Sequence, residues 1–341
     1  MYRGGERVQR GAAVSPVQLS WKNKMLSQRE RTIACWLLAI TILAGFTVPG
    51  LSEKMAPFTS PSLLILIIMS LLPMGRMEGE EVFSLDAKVW QIVLWQLLVL
   101  PALIVSAAHL ARIDSNITLL LVTTASAGSL FASPTFAELL QVNKQKALQC
   151  MVLSTFLMPV SYFIFFTLVL HADVDIDVME FVARCMHFLV LPLGLFLVYM
   201  GVVHKLPAKV VNSVESASRR TTIAALIIFG LGIVGPARDL LWHDPQRFVM
   251  YLVIVTLLGA GMAYLTAVVM FRQGMNDSLT ASIVSGFRNV GLGFVLLSGM
   301  AGHSTSEYVG VSQIPIFLAP LAFSLLLGRQ PKAAPALAPA A

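Results

Sequence analysis

The sequence is short of charge. Of its 341 residues 12% are Asp, Glu, Lys or Arg and 57% are hydrophobic, where a water-soluble domain carries about 25% charged residues. So little charge does not cover the exterior of a soluble fold, and the surplus apolar surface is expected to face hydrocarbon. Cysteine is scarce as well. Cys35, Cys150 and Cys185 lie in apolar stretches with no CxxC pair and no neighbouring histidine, a setting for small buried side chains rather than metal or redox chemistry. The sequence also lacks HExxH, GxSxG, a phosphate-binding loop and an intramembrane Asp pair. Neither an intramembrane hydrolase nor an ATP-driven pump is expected, so the chain reads as a non-enzyme with no cofactor and no bound metal.

What the chain has is apolar runs of spanning length. They cover 32–50, 60–75, 89–109, 117–141, 147–170, 181–203, 221–241, 248–271, 279–301 and 308–327. The expected fold is an all-α polytopic membrane protein of about ten transmembrane helices. The net charge of +6 is explained by topology rather than by nucleic acid, because basic residues collect in the N-terminal arm and in alternate loops. Outside the arm, Arg76, Lys88, Lys144, Lys146, Lys205, Lys209, Arg219, Arg220, Arg272, Arg329 and Lys332 fall on one side, against Lys54, Arg112, Arg238 and Arg247 on the other. Both termini are therefore expected in the cytoplasm, with the chain multi-pass in a bacterial-type inner (plasma) membrane. The expected organisation is a basic cytoplasmic arm over 1–31, a first five-helix repeat over 32–170, a second over 171–328 and a disordered tail over 329–341.

A repeat with an odd number of spans is inverted automatically. The fifth and tenth spans share Phe-Leu-x-Pro, at Phe156 to Pro159 and Phe317 to Pro320. The fourth span, Thr123 to Thr135, and the ninth, Ser282 to Leu292, are polar and interrupted by Gly or Pro. Such breaks in matching positions point to a binding site, because a backbone opened in hydrocarbon needs partners. The candidate crossover residues are Ser129, Ser133, Pro134, Thr135, Ser285, Gly286, Arg288 and Asn289.

At these residues the sequence resembles the bile acid:sodium symporter family. The resemblance runs through Met74-Gly75-Arg76-Met77, Glu81-Val82-Phe83, Gln96 to Pro101, Ala132-Ser133, Ser154-Thr155 to Pro159, and Gly286, Asn289, Gly291 and Leu292. It implies two inverted five-helix repeats, with broken helices 4 and 9 crossing in a core that moves against a panel formed by the first, second, sixth and seventh spans. It further implies a secondary transporter working by alternating access. Sodium-coupled members place a Glu and a Gln in the ninth span, an Asn beside the fourth-span Ser, a Gln in the third span and hydroxyls in the fifth. Here Val284, Arg288, Pro134, Ala147 and Met151 stand at those places, and only Ser133 and Gln96 remain.

Sodium needs a cage of oxygens, which Val, Met and Ala do not supply. The expected activity is thus transport of a small organic anion, proton-coupled or sodium-independent, with Gln96, Glu138 and Arg288 as coupling candidates. Arg288 is permanently charged and stands in for a bound cation, answered by carbonyls at the fourth-span break, by the anion or by Glu138. A sodium-coupled symporter with rebuilt cation sites is one alternative and a membrane channel is another. The expected partners are the substrate and the bilayer, with the protein a monomer or homodimer.

Overall fold

The computed structural model describes residues 28–72, 86–140, 142–169, 177–297 and 303–327. The expected arm as far as residue 27, the tail over 329–341 and the loop from Met74 to Phe83 lie outside the described residues. The rest is all-helical. Helix α1 spans Gln28–Thr47, α2 Leu51–Leu71, α3 Ala87–Leu110, α4 Ser115–Ala125, α5 Ser133–Leu139 and α6 Lys144–Thr167. Then come α7 Val178–Val203, α8 Ala208–His243, α9 Pro245–Gln273, α10 Met275–Gly286, α11 Val290–Leu297 and α12 His303–Leu327.

Six of these, α2, α3, α6, α7, α8 and α9, are long and apolar enough to cross a membrane. The shortest, α2 with 21 residues, reaches about 30 Å, the thickness of the hydrocarbon layer. Their apolar residues are not all inside. In α9, Leu257 is 66% exposed and Tyr264 73%, a surface that fits a membrane-embedded protein and not an aqueous one.

Helix ends differ from the hydropathy reading where the chain is helical without being apolar. Helix α2 starts at Leu51, ahead of the expected residue 60, because Pro57 opens the 3-10 turn Ala56–Phe58, where its missing N–H leaves nothing unpaired. Gly50, at φ 73°, makes the reversal from α1 that a side chain would strain. Helix α8 starts at Ala208 rather than 221 because the polar stretch before Thr221 is also helical.

Helix α3 contains a π-helical turn over Trp95–Val99, followed by Pro101. Pro101 has no N–H for the Leu97 carbonyl, and Ser161 Oγ from α6 donates to that carbonyl at 2.6 Å. In the π turn the Leu100 N–H donates to the Trp95 carbonyl, so in the same register the Gln96 carbonyl would need the N–H that Pro101 lacks.

Helix α8 lies along α1 and α2, and α7 touches α2. Helix α6 holds α3, α5 and α10, while α12 packs on α1, α8, α9 and α11. Charge gathers at the two ends of this bundle. At one, Lys88 Nζ and Lys146 Nζ donate to the two oxygens of Asp277 at 2.8 and 2.7 Å, joining the first turns of α3, α6 and α10. Burial pushes the Asp277 carboxyl up, but the hydrogen bonds from Lys146 and Lys88 outweigh it and hold the group below the usual carboxylate range. At the other end Arg238 pairs with Glu53 at 3.0 Å and Arg247 with Glu307 at 2.9 Å.

Candidate functional site

Between those ends, two helices stop and restart. Helix α4 ends at Ala125, and the chain runs in non-helical backbone to Ser133, where α5 begins with Pro134 in its first turn. Gly128 is needed because α6 presses on it: a Cβ there would stand 3.1 Å from the Ser154 carbonyl oxygen and 3.2 Å from Thr155 Cα. Helix α10 ends at Gly286, whose Cβ would stand 2.7 Å from that of Ala263 on α9. Phe287 is extended, and Asn289 restarts the helix as a cap, its Oδ1 accepting from the Leu292 N–H at 3.1 Å.

The two breaks cross and satisfy each other. Ser129 and Arg288 form an isolated antiparallel bridge. Around it Leu130 N–H donates to Phe287 O at 2.9 Å, and Asn289 N–H donates to Gly128 O at 2.8 Å. An unpaired backbone group in hydrocarbon costs several kcal/mol, so a break alone would be unstable and the pair is not. The Ser129 N–H, turned away from the bridge, donates to Ser154 Oγ at 2.9 Å, and Ser129 Oγ donates to Val284 O at 3.0 Å.

Arg288 is 1% exposed. Its Nη1 donates to Ala127 O at 3.0 Å and its Nη2 to Gln96 O at 3.1 Å. With the Gln96 amide oriented to suit its neighbours, Oε1 accepts from Arg288 Nη1 at 3.1 Å and Nε2 donates to Ser129 Oγ at 3.2 Å. The guanidinium thus lies among three oxygens, a carbonyl set free by the α3 π turn, a carbonyl at the α4 break and a side-chain amide. Bonds of this charge-assisted kind contribute about 1.5 to 3 kcal/mol each, enough to offset an Arg at mid-span, which costs about 2.5 to 3.5 kcal/mol. Every ion pair among the described residues lies elsewhere, so no described carboxylate neutralises this charge. The side chains of Glu138 and Thr135 lie outside the described ones.

The structure therefore brings Gln96, Ser129, Gly286, Arg288 and Asn289 to one place. Ser133 and Ser285 are fully buried, and their hydroxyls, with Ser126 Oγ, Asn289 Nδ2 and Arg288 Nε, have no hydrogen-bond partner among the described residues. Pro134 is buried at the start of α5. Ser154 was counted in the resemblance but not in the site. The resemblance placed the fifth-span hydroxyls at Ala147 and Met151, but the hydroxyl that reaches the crossing lies one turn beyond Met151, on the same helix face.

A cavity of about 60 Å³ lies between the crossing and helices α1, α2, α8 and α12. Leu38, Leu66, Phe229 and Phe317 give it apolar walls, and Asn289 and Gln313 bring polar groups. It admits a few water molecules but is smaller than the several hundred Å³ of a ligand pocket. No protein-family model matches this sequence, and no curated protein matches it significantly.

Proposed function

We propose that this chain is a secondary transporter of small organic anions, built from ten spans in two inverted repeats and similar in plan to the bile acid:sodium symporters. The observation that carries the reading is the crossing of two broken helices with a buried guanidinium, unpaired by any described carboxylate, beside a cavity. Broken helices in membrane proteins occur where backbone lines a site. A buried guanidinium, with donors at Arg288 Nε and Asn289 Nδ2 that have no partner among the described residues, suits a carboxylate or sulfate group.

In this reading α1, α2, α7 and α8 form a panel, supported by their mutual packing. The remaining helices form a core that rocks against it and opens the 60 Å³ cavity to each side in turn. The chain lies in an inner (plasma) membrane with the Lys88, Lys146 and Asp277 end in the cytoplasm, following the bias of basic loops. Sodium is not required, because the Arg288 guanidinium already holds the oxygens of Gln96 and Ala127. The driving force is instead a proton gradient or the substrate's own.

Uptake of a pool of labelled organic anions into proteoliposomes tests the reading, with Arg288→Ala as the comparison. Uptake that falls to background in the variant supports it. Absence of uptake by the natural sequence, or a variant with unchanged uptake, refutes it. A second reading, a sodium-coupled symporter with rebuilt cation sites, is favoured by the buried unpartnered hydroxyls of Ser126, Ser133 and Ser285, and it predicts uptake that stops when choline replaces sodium.

A further inference from the structure

Away from the crossing, one described carboxylate is buried. Glu307, on the second turn of α12, is 6% exposed, and a buried carboxylate with an oxygen that accepts no hydrogen bond is costly enough to need a reason. Arg247 Nη2 stands 2.9 Å from Glu307 Oε2, yet that oxygen accepts no aligned hydrogen bond, so charge alone holds the pair. His303 Nε2 stands 3.3 Å from Oε1, and its side chain is 80% exposed, which gives a proton a short route from solvent to the carboxylate.

The same arginine leads inward. Arg247 Nε donates to the Tyr251 hydroxyl at 3.0 Å. The Tyr251 ring meets that of Tyr308 edge-on at 5.5 Å, and the Tyr308 hydroxyl is 3.0 Å from Thr124 Oγ1, in the last turn of α4 before its break. Glu307 and Tyr308 are neighbours in sequence, so a shift of α12 at Glu307 moves the side chain that holds the end of α4.

We infer that Glu307 is the proton-coupling carboxylate of this transporter, trading Arg247 for a proton as the α9 and α12 end of the bundle opens. The inference rests on the transport reading above. Arg247 and Tyr251 face Glu307 from α9, and His303 and Tyr308 flank it on α12. At the corner of α8 and α9, Asp244 caps the Arg247 N–H at 3.0 Å, while Arg238 is taken by Glu53. Helix α11 and the last two turns of α1 bring no ionisable residue. Arg247 and a proton compete for the same carboxylate, so the opening that withdraws Arg247 is linked to protonation.

The test compares Glu307→Gln with the natural sequence in proteoliposomes by two measurements, substrate counterflow without a gradient and accumulation driven by an imposed pH gradient. The expected result is that the variant keeps counterflow and loses accumulation by about tenfold, a typical coupling range. A variant that still accumulates substrate overturns the inference, and so does one that loses counterflow although its Tm is unchanged. Absence of counterflow in the natural sequence refutes the transport reading separately. Glu307 is then read without substrate, from hydrogen exchange at the outer ends of α9 and α12. Relative to the intrinsic amide rate at each pH, acidification raises that exchange in the natural sequence and not in Glu307→Gln if the inference holds, and an unchanged protection in both overturns it.

Discussion

The two helix breaks do different work. The first, over 126–132, is longer, built of small polar residues, and supplies acceptors such as the Ala127 and Gly128 carbonyls. The second, over 287–289, is short: its Phe287 carbonyl accepts from the Leu130 N–H, and it adds as donors the Asn289 N–H and the Arg288 guanidinium. A break in a membrane helix leaves both donors and acceptors unpaired, and here each side covers the deficit of the other. Only one of the two carries a full charge, so damage to the two sides is expected to be unequal.

The largest effect is expected on the donor side. Arg288→Ala leaves three buried oxygens without a donor, and at about 1 to 3 kcal/mol for each unsatisfied group a loss of several kcal/mol follows, read as a lower Tm in detergent. Added guanidinium ion should restore part of that Tm, while a wholly unresponsive variant would show that the oxygens do not form a cation cage. Arg288→Lys should fall between, since an ammonium lacks the planar fork that spans Gln96 O and Ala127 O. On the acceptor side, Gly128→Ala forces a Cβ to 3.1 Å from the Ser154 carbonyl and is expected to cost about 1 to 3 kcal/mol. A neutral Gly128→Ala would mean that α6 yields at this point and that the first break is soft.

Asn289→Ala removes a helix cap and should cost about 1 kcal/mol, measured by the same melting curves. A loss as large as that of Arg288→Ala would shift the centre of the crossing to Asn289. The smallest effect concerns the end of the bundle held by Lys88, Lys146 and Asp277. The folded pKa of Asp277 is held below its ordinary value, so its contribution is complete above the ordinary carboxylate range and is lost as pH falls through the folded value. The Tm of the natural sequence should therefore drop between about pH 5 and pH 3 more steeply than that of Asp277→Asn, and parallel profiles would remove Asp277 from the account.

Much of this comparison was legible in the sequence. The Gly- and Pro-interrupted polar stretches gave away both breaks, and Arg288 announced itself as a charge in an apolar run. Helix ends were less legible, because hydropathy does not register polar helix such as 208–220, nor a proline that a 3-10 turn absorbs at Pro57. The partners of Arg288 were legible only in part. Carbonyls at the first break were foreseen, but the Gln96 carbonyl depends on the π turn at Trp95–Val99, whose register Pro101 alone does not reveal. Ser154 and the Arg247 and Glu307 pair escaped for a related reason, since each depends on which helices adjoin and sequence spacing does not say.

In the transport reading a fixed guanidinium replaces a bound inorganic cation. The most direct measurement is counterflow of a transported organic anion in proteoliposomes with sodium wholly replaced by choline. The account predicts the same rate in both media, because the oxygens of Gln96 and Ala127 are already occupied. A rate that vanishes without sodium and returns with it would contradict the account and show that a cation site has been built elsewhere in the chain.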